Sequence, residues 1–196
     1  MTARPTAGPV PGLRGTEHVG ITVPDLDEAI RFFVDVLGCE HFYDLGPFRD
    51  DDGDWFEVNL DLDPRASIPR AALLRCGNGS NFEMFEYVAP DQVRRLPRMS
   101  DWGGTHLAFY VDDMDAALAD LRRRGVRILG GAKAGIGPES GPGTSFCHFL
   151  TPWGMLLEFV SFPQGKRYMA GRDRLLWRPH HPADERRGDR DLALSD

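Results

Sequence analysis

The pattern of apolar and polar residues near the N-terminus predicts a strand, a turn and a helix. Apolar residues alternate with polar or small ones over residues 18–23, which is the period of a half-buried strand. Asp25 follows at the position of a helix N-cap, with Glu28 three residues later as in a capping box. Apolar residues then recur at helical spacing as far as Gly38, a typical helix end.

The same pattern returns in the second part of the chain. Residues 17–30 and residues 105–118 align without a gap, and His18 falls on His106 in this alignment. The second block again has an N-cap residue, Asp113, before its apolar helical stripe. An internal repeat of this kind predicts two copies of one structural unit.

The two copies also end alike, each with an apolar strand that carries one glutamate. Residues 81–87 and residues 155–162 both follow glycine-containing turns, and Glu83 aligns with Glu158. Two further strands are expected in each copy, at residues 40–45, 71–76, 126–129 and 145–150. The predicted fold class is therefore α+β, with two βαβββ modules in tandem that form a curved mixed sheet around a cleft.

The repeat also sets the expected domain boundaries. Residues 13–163 form one domain, made of a first module at residues 13–90 and a second module at residues 101–163. Residues 1–12 are rich in Pro, Gly and Ala and predict a flexible arm. Residues 164–196 carry many Arg and Asp residues without apolar periodicity, which predicts a partly disordered extension.

Two regions interrupt the repeat. Residues 46–70 have no counterpart of the same length in the second module, and alternating apolar positions at residues 56–62 predict an additional strand or hairpin arm. Residues 130–143 are rich in glycine and are expected to form a loop that could act as a mobile lid. The glycines lack the strand–GxxxxGK–helix context of a phosphate-binding P-loop, so that type of site is rejected.

Composition and charge narrow the classes of partner. The chain has 196 residues and a formal net charge of −7, which argues against a general nucleic-acid binder. No apolar run approaches the roughly 20 residues of a membrane span. The three cysteines fit no zinc motif and are expected to be free thiols in a reducing cytoplasm. These observations argue against nucleic acid and membranes as partners, which is consistent with a small-molecule substrate.

The repeat places four candidate metal ligands at equivalent points. His18 and His106 lie on the first strand of each module, and Glu83 and Glu158 lie on the last. If the modules are related by a pseudo-two-fold axis, these side chains can converge. Two imidazoles and two carboxylates suit one divalent ion such as Zn, Ni, Co, Mn or Fe. Glu86 is a second candidate ligand on the same strand as Glu83, but strand alternation places Glu86 on the opposite face.

A third histidine lies close to this predicted site in the sequence. His148 belongs to the strand expected at residues 145–150 and could face the same cleft. A structural histidine is the favoured interpretation, because a single imidazole in a strand is more often a structural residue than a ligand.

The repeated blocks resemble the vicinal-oxygen-chelate superfamily. The resemblance rests on residues 17–30 and 105–118 with the closing Phe-Glu-Met and Leu-Glu-Phe segments, and it covers residues 13–163. The superfamily includes glyoxalase I, methylmalonyl-CoA epimerase, extradiol dioxygenases, fosfomycin-resistance proteins and bleomycin-binding proteins. The His-Glu-His-Glu set is similar to that of bacterial glyoxalase I, and methylmalonyl-CoA epimerase usually has Gln in the place of Glu83. The resemblance also implies a homodimer.

The resemblance implies lyase or isomerase chemistry, including epimerisation, at a carbonyl-containing substrate. A proton would be abstracted beside a metal-bound carbonyl, with Glu158 favoured as the base and Glu83 as the alternative. One rival function is an Fe(II) extradiol dioxygenase that uses His18, His106 and Glu158. The other is a non-catalytic protein that sequesters a small molecule such as an antibiotic.

Overall fold

A computed structural model describes residues 10–179 of the chain. The first module contains β1 (His18–Thr22), α1 (Leu26–Arg31) with a π-helical continuation (Phe32–Val36), β2 (Glu40–Leu45), α2 (Trp55–Leu60), β3 (Ser67–Arg75) and β4 (Asn81–Val88). The second module contains β5 (Leu107–Tyr110), α3 (Met114–Arg123), β6 (Ile128–Ala134), β7 (Ser145–Leu150) and β8 (Leu156–Ser161). Short 3₁₀ helices cover Gly137–Glu139 and Arg167–Met169.

The two modules share one sheet topology. The first sheet has the strand order β1-β4-β3-β2 and the second has β5-β8-β7-β6. In each, the first strand pairs with the last in parallel, and the remaining pairs are antiparallel. The predicted fold class of two tandem βαβββ modules is confirmed. No helix within residues 10–179 is long and apolar enough to cross a membrane.

The predicted helix ends are also confirmed. Asp25 Oδ1 accepts a hydrogen bond from the backbone N–H of Glu28 at 2.8 Å, and Asp113 Oδ1 caps α3 in the same way at 2.9 Å. Such a cap typically contributes about 1 kcal/mol, because it satisfies an N–H that has no partner within the helix. Gly38 and Gly125 follow the two helical segments with φ angles of +73° and +72°, a conformation that glycine adopts without strain.

The strand or hairpin arm predicted at residues 56–62 is wrong, because the segment forms α2. The sequence alternates there, but the helix buries Phe56 and leaves Val58 largely exposed. The backbone N–H of Trp55 donates to Asp50 Oδ2 at 3.0 Å, which supports the start of the helix. A short alternating run cannot by itself distinguish a strand from a helix that buries one apolar residue.

The predicted strand at residues 126–129 is shifted. Strand β6 begins at Ile128 and extends to Ala134, so part of the predicted loop at residues 130–143 is strand. A register shift between Leu129 and Lys133 accommodates the glycines within the ladder. The expected disorder of the C-terminal end concerns residues beyond 179, and most of the expected arm precedes residue 10. Both lie outside the described part of the chain.

One apolar core spans both modules. Phe33 is fully buried, and its ring centroid lies 5.5 Å from that of Phe82 in β4 and 6.3 Å from that of Phe109 in β5. The π-helical continuation of α1 therefore packs against strands of both sheets. Such edge-to-face contacts join the modules through a shared apolar surface.

A smaller apolar cluster lies on the first module. Phe56 of α2 is its largest fully buried side chain, and Phe85 and Tyr87 of β4 pack against the cluster. The insertion at residues 46–70 is thus fixed to the first sheet by apolar packing.

Candidate metal site

Strand alternation places the two glutamates on the faces of the sheets that turn away from the main core. Phe82 and Met84 of β4 are buried in the core, so Glu83 between them points to the other face. In β8, Glu158 likewise lies between two buried core residues, Leu157 and Phe159. Both glutamates therefore project from the faces that do not form the main core.

Glu86 lies on the opposite face, as predicted. Its Oε2 accepts a hydrogen bond from the backbone N–H of Leu26 at 3.2 Å, in the first turn of α1. That N–H belongs to the helix terminus, where a carboxylate is electrostatically favoured. Glu86 thus supports the helix, and Glu83 is the glutamate of β4 that faces the candidate site.

The first module brings one imidazole and one carboxylate together. His18 Nε2 lies 3.2 Å from Glu83 Oε2, while Nδ1 lies 2.5 Å from Glu17 Oε2. Asn81 Nδ2 donates to Glu17 Oε1 at 3.0 Å and so holds that carboxylate in place. A carboxylate bound to one ring nitrogen orients the other nitrogen, an arrangement common in metal sites.

The same contacts shift two pKa values. The pKa of His18 is raised, chiefly because Nδ1 donates a hydrogen bond to Glu17, with a smaller contribution from the charge of Glu83. The pKa of Glu17 is lowered by its hydrogen bonds with His18 and Asn81. Since a ligand nitrogen must be unprotonated, binding of an ion to Nε2 has to displace any proton held there.

The second module brings three groups together. His106, immediately before β5, has Nε2 at 3.1 Å from Glu158 Oε2. His148 of β7 has Nε2 at 3.8 Å from Glu158 Oε1. One ligand atom from each of the three residues can be chosen so that all lie within 4.8 Å of one another. The Glu158 side chain is only 14% exposed, whereas each imidazole is about one-third exposed.

His148, for which a structural role is the favoured interpretation of the sequence, lies beside Glu158. In the structure, β7 and β8 pair in a register that places His148 directly across from Glu158. The neighbouring residues Cys147 and Phe149 are buried in the core, so His148 projects to the same side as Glu158. The sequence of β7, SFCHFL, does not alternate between polar and apolar residues, so this orientation and the partner of His148 are seen only in the structure.

The structure presents the four predicted ligands as two pairs, His18 with Glu83 and His106 with Glu158. Within residues 10–179, the group of three potential ligands whose atoms all lie within 4.8 Å of one another includes neither His18 nor Glu83. The convergence of all four side chains on one ion therefore stays a prediction.

The donor atoms fit a divalent metal ion. Ligands at about 2.1 Å from an ion lie about 3.0 Å apart at right angles and about 3.4 Å apart in a tetrahedron. The contact between His18 and Glu83 is 3.2 Å and that between His106 and Glu158 is 3.1 Å, and both agree with this geometry. Imidazole and carboxylate donors suit Zn, Ni, Co, Mn and Fe ions.

Two cavities differ in their relation to these residues. A cavity of about 920 Å³ is lined by residues of both modules, among them Val19, Phe82 and Phe109, and by none of the four predicted ligands. A smaller cleft of about 220 Å³ includes Glu158 together with Phe146 in its lining. Of the two, the smaller cleft is therefore the one that is lined by a predicted ligand.

Comparisons with known proteins agree with the fold and the repeat. A model of the glyoxalase/bleomycin resistance protein/dioxygenase superfamily matches residues 17–147. The chain is 45% identical over 185 residues to 2-epi-5-epi-valiolone epimerase of an Actinomyces species, across 91% of this chain and 96% of that protein. It is 29% identical over 160 residues to mitochondrial methylmalonyl-CoA epimerase of Bos taurus, across 81% of this chain and 80% of that protein.

A solved structure is similar as well. A glyoxalase family protein from Bacillus cereus matches with a TM-score of 0.58 and 20% identity, over 81% of this chain and 98% of that chain. This likeness confirms the fold. The resemblance noted in the sequence is confirmed by the family match, and the two epimerase relatives indicate an enzyme.

Proposed function

We propose that this chain, which belongs to the glyoxalase/bleomycin resistance protein/dioxygenase superfamily, is a metal-dependent epimerase of 2-epi-5-epi-valiolone or a close analogue. The observation that carries the proposal is the 45% identity to 2-epi-5-epi-valiolone epimerase, which extends over 96% of that protein. The second curated relative, methylmalonyl-CoA epimerase, shares the reaction type with a different substrate. The two relatives favour epimerase chemistry over the lyase, dioxygenase and binding functions.

The residues proposed to hold one divalent ion are His18, Glu83, His106 and Glu158. The contacts of 3.1 and 3.2 Å within the two pairs support this assignment. When bound, the ion supplies Lewis-acid stabilisation of the charge that develops on a substrate carbonyl oxygen.

Epimerisation beside a carbonyl requires removal of the C–H proton from one face and return of a proton to the other. A carboxylate close to the reacting carbon is suited to take the proton. We favour Glu158 as the base, with the oxygen that takes the proton free of the ion, because Glu158 lines the smaller cleft and its side chain is less exposed than that of Glu83, at 14% against 21%. Glu83 is the alternative base.

The assembly and the compartment form part of the same proposal. A homodimer is expected from the family resemblance. A reducing cytoplasm is consistent with the described cysteines, Cys39, Cys76 and Cys147, which are all free thiols.

The direct test incubates the purified protein with 2-epi-5-epi-valiolone in D₂O and follows the substrate by ¹H NMR. Conversion to an epimer, with deuterium entering the centre beside the carbonyl, is the expected result. Treatment with a chelator should abolish the conversion, and added Zn, Co, Mn, Ni or Fe ions should restore it.

Three results would contradict the proposal. Oxygen-dependent ring cleavage of a catechol would assign the protein to the dioxygenases. Stoichiometric binding of the small molecule without turnover would make it a binding protein. Full activity in a protein shown by elemental analysis to contain no metal would refute the metal dependence.

A further inference from the structure

We propose that His148 is an additional ligand of the ion, so that His106, His148 and Glu158 form a three-residue metal site within the second module. This inference rests on the metal dependence of the proposed function. It adds to the ion's surroundings a residue that the four-ligand prediction did not include.

The sheet topology brings the three side chains to one place. Strand β8 lies between β5 and β7, and Glu158 pairs with Ala108 on one side and with His148 on the other. His106 is two residues before Ala108, so strand alternation gives both residues the same face. Neighbouring strands are about 4.8 Å apart, so side chains on one face of three adjacent strands can reach a common ion.

The separations between the donor atoms fit a shared ion. At bond lengths of about 2.1 Å, two ligands lie about 3.0 Å apart at right angles and about 4.2 Å apart when opposite each other. His106 Nε2 lies 3.1 Å from Glu158 Oε2 and His148 Nε2 lies 3.8 Å from Glu158 Oε1, both within this range, and ligand atoms of all three residues lie within 4.8 Å of one another. Two imidazoles and one carboxylate are also a common ligand set for divalent transition metals.

The His148 ring is held by packing and not by hydrogen bonds. Its centroid lies 5.8 Å from that of Phe146 and 5.8 Å from that of His106. Among the residues that the structure describes, its one polar contact is the 3.8 Å approach to Glu158, which is longer than a hydrogen bond. The ring is thus oriented towards Glu158 with its Nε2 available to an ion.

The corresponding position in the first module is apolar. Leu73 of β3 lies across from Glu83, as His148 lies across from Glu158. The first module therefore offers one imidazole and one carboxylate, whereas the second offers two imidazoles and one carboxylate. We infer that the second module supplies most of the affinity for the ion.

The test measures binding of Co²⁺ alone to the chelator-stripped full-length protein, by calorimetry and by the visible absorption of the bound ion. H148L introduces leucine, the residue found at the corresponding position of the first module, Leu73. H148D instead keeps a possible ligand oxygen. The matched control is H41Q, because His41 is an imidazole of β2 that contacts Asp44 at 2.8 Å. H148L should lower Co²⁺ affinity at least about tenfold and change the spectrum, since even loss of an outer partner costs about 10–100-fold.

H148D should stay within a few-fold of wild-type affinity with an altered absorption band, and H41Q should match the wild type. Unchanged affinity and spectrum in H148L would overturn the proposal. If circular dichroism shows that H148L does not fold, the folded H148D protein decides, and a wild-type cobalt spectrum there overturns it equally.

Failure of this inference is distinguishable from failure of the proposed function. Protein that binds Co²⁺ in a His148-dependent manner but does not epimerise the ketone would support His148 as a ligand and refute the function. An active, metal-dependent epimerase whose Co²⁺ affinity and spectrum do not depend on His148 would support the function and refute His148 as a ligand.

Discussion

The two modules share one sheet order but differ in what lies beside their central glutamates. Glu158 has His106 on one side and His148 on the other, whereas Glu83 faces Leu73 across the ladder. An internal repeat can therefore keep its backbone and one imidazole–carboxylate pair while the adjacent strand supplies a different side chain. The two modules need not contribute equally to one site.

The modules also differ in what covers the face that carries the glutamate. In the first module, Phe56 of α2 packs with Phe85 and Tyr87, which alternation places on the same face as Glu83. Burial and the nearby charge of Glu83 both raise the pKa of Tyr87. In the second module, a cleft of about 220 Å³ adjoins Glu158. The insertion therefore covers the face of the first module that carries Glu83, whereas an open cleft lies beside Glu158 in the second module.

Substitution of the two glutamates should show the largest difference in activity between the two modules. We expect E158Q to lower kcat by about 10³-fold or more, because it removes the favoured base and the carboxylate that contacts two imidazoles. E83Q should lower kcat by only about 10–100-fold, because the ligands of the second module can still hold the ion. The measurement is the epimerisation rate with metal content determined on the same samples.

The control for this pair is D44N, which changes an exposed carboxylate beside His41 and should leave kcat unchanged. Equal losses in E158Q and E83Q would show that the modules contribute symmetrically, and a larger loss in E83Q would reverse the assignment of the base.

Removal of the ring that joins the modules should have the next largest effect. F33A should lower the free energy of unfolding by about 3–5 kcal/mol, because Phe33 is fully buried against aromatic rings of both sheets. Urea denaturation followed by circular dichroism measures this loss. V58A, on the exposed side of α2, should stay within about 0.5 kcal/mol of the wild type. A loss below about 1 kcal/mol in F33A would show that this contact does not join the modules.

The smallest expected effect concerns the carboxylate behind the first histidine. Glu17 aligns with Thr105, so in this alignment only the first module has a carboxylate just before its histidine. In the metal-free protein, E17Q should lower the pKa of His18 towards its ordinary value, because an amide accepts the Nδ1–H bond less strongly than a carboxylate. NMR titration of the ring protons measures the shift, with E57Q as the control. An unchanged His18 pKa in E17Q would mean that Glu17 does not hold the ring.

The raised pKa of His18 makes the stability of the fold depend on pH. A group that binds its proton more tightly when folded stabilises the fold at pH values below its unfolded pKa. That contribution is lost as the pH rises through the folded-state pKa. The wild type should therefore lose this small contribution on going from mildly acidic to alkaline pH, and E17Q should lose less.

The sequence by itself determined the repeat, the helix caps and the opposite faces of Glu83 and Glu86. The capping contacts of Asp25 and Asp113 and the opposite orientation of Glu83 and Glu86 follow from local backbone periods, so they could be predicted. The family resemblance, which rests on the same blocks, was predictable for the same reason. The two pairs of candidate ligands were also named from the sequence.

Tertiary structure alone decided which residues became neighbours across strands. The proximity of His148 to Glu158 depends on the register between β7 and β8, and no local period encodes that register. The helical state of residues 55–60 depended on the apolar surface that was available to bury Phe56. A short run of alternating residues is compatible with more than one backbone, and packing against the first sheet selected the helix.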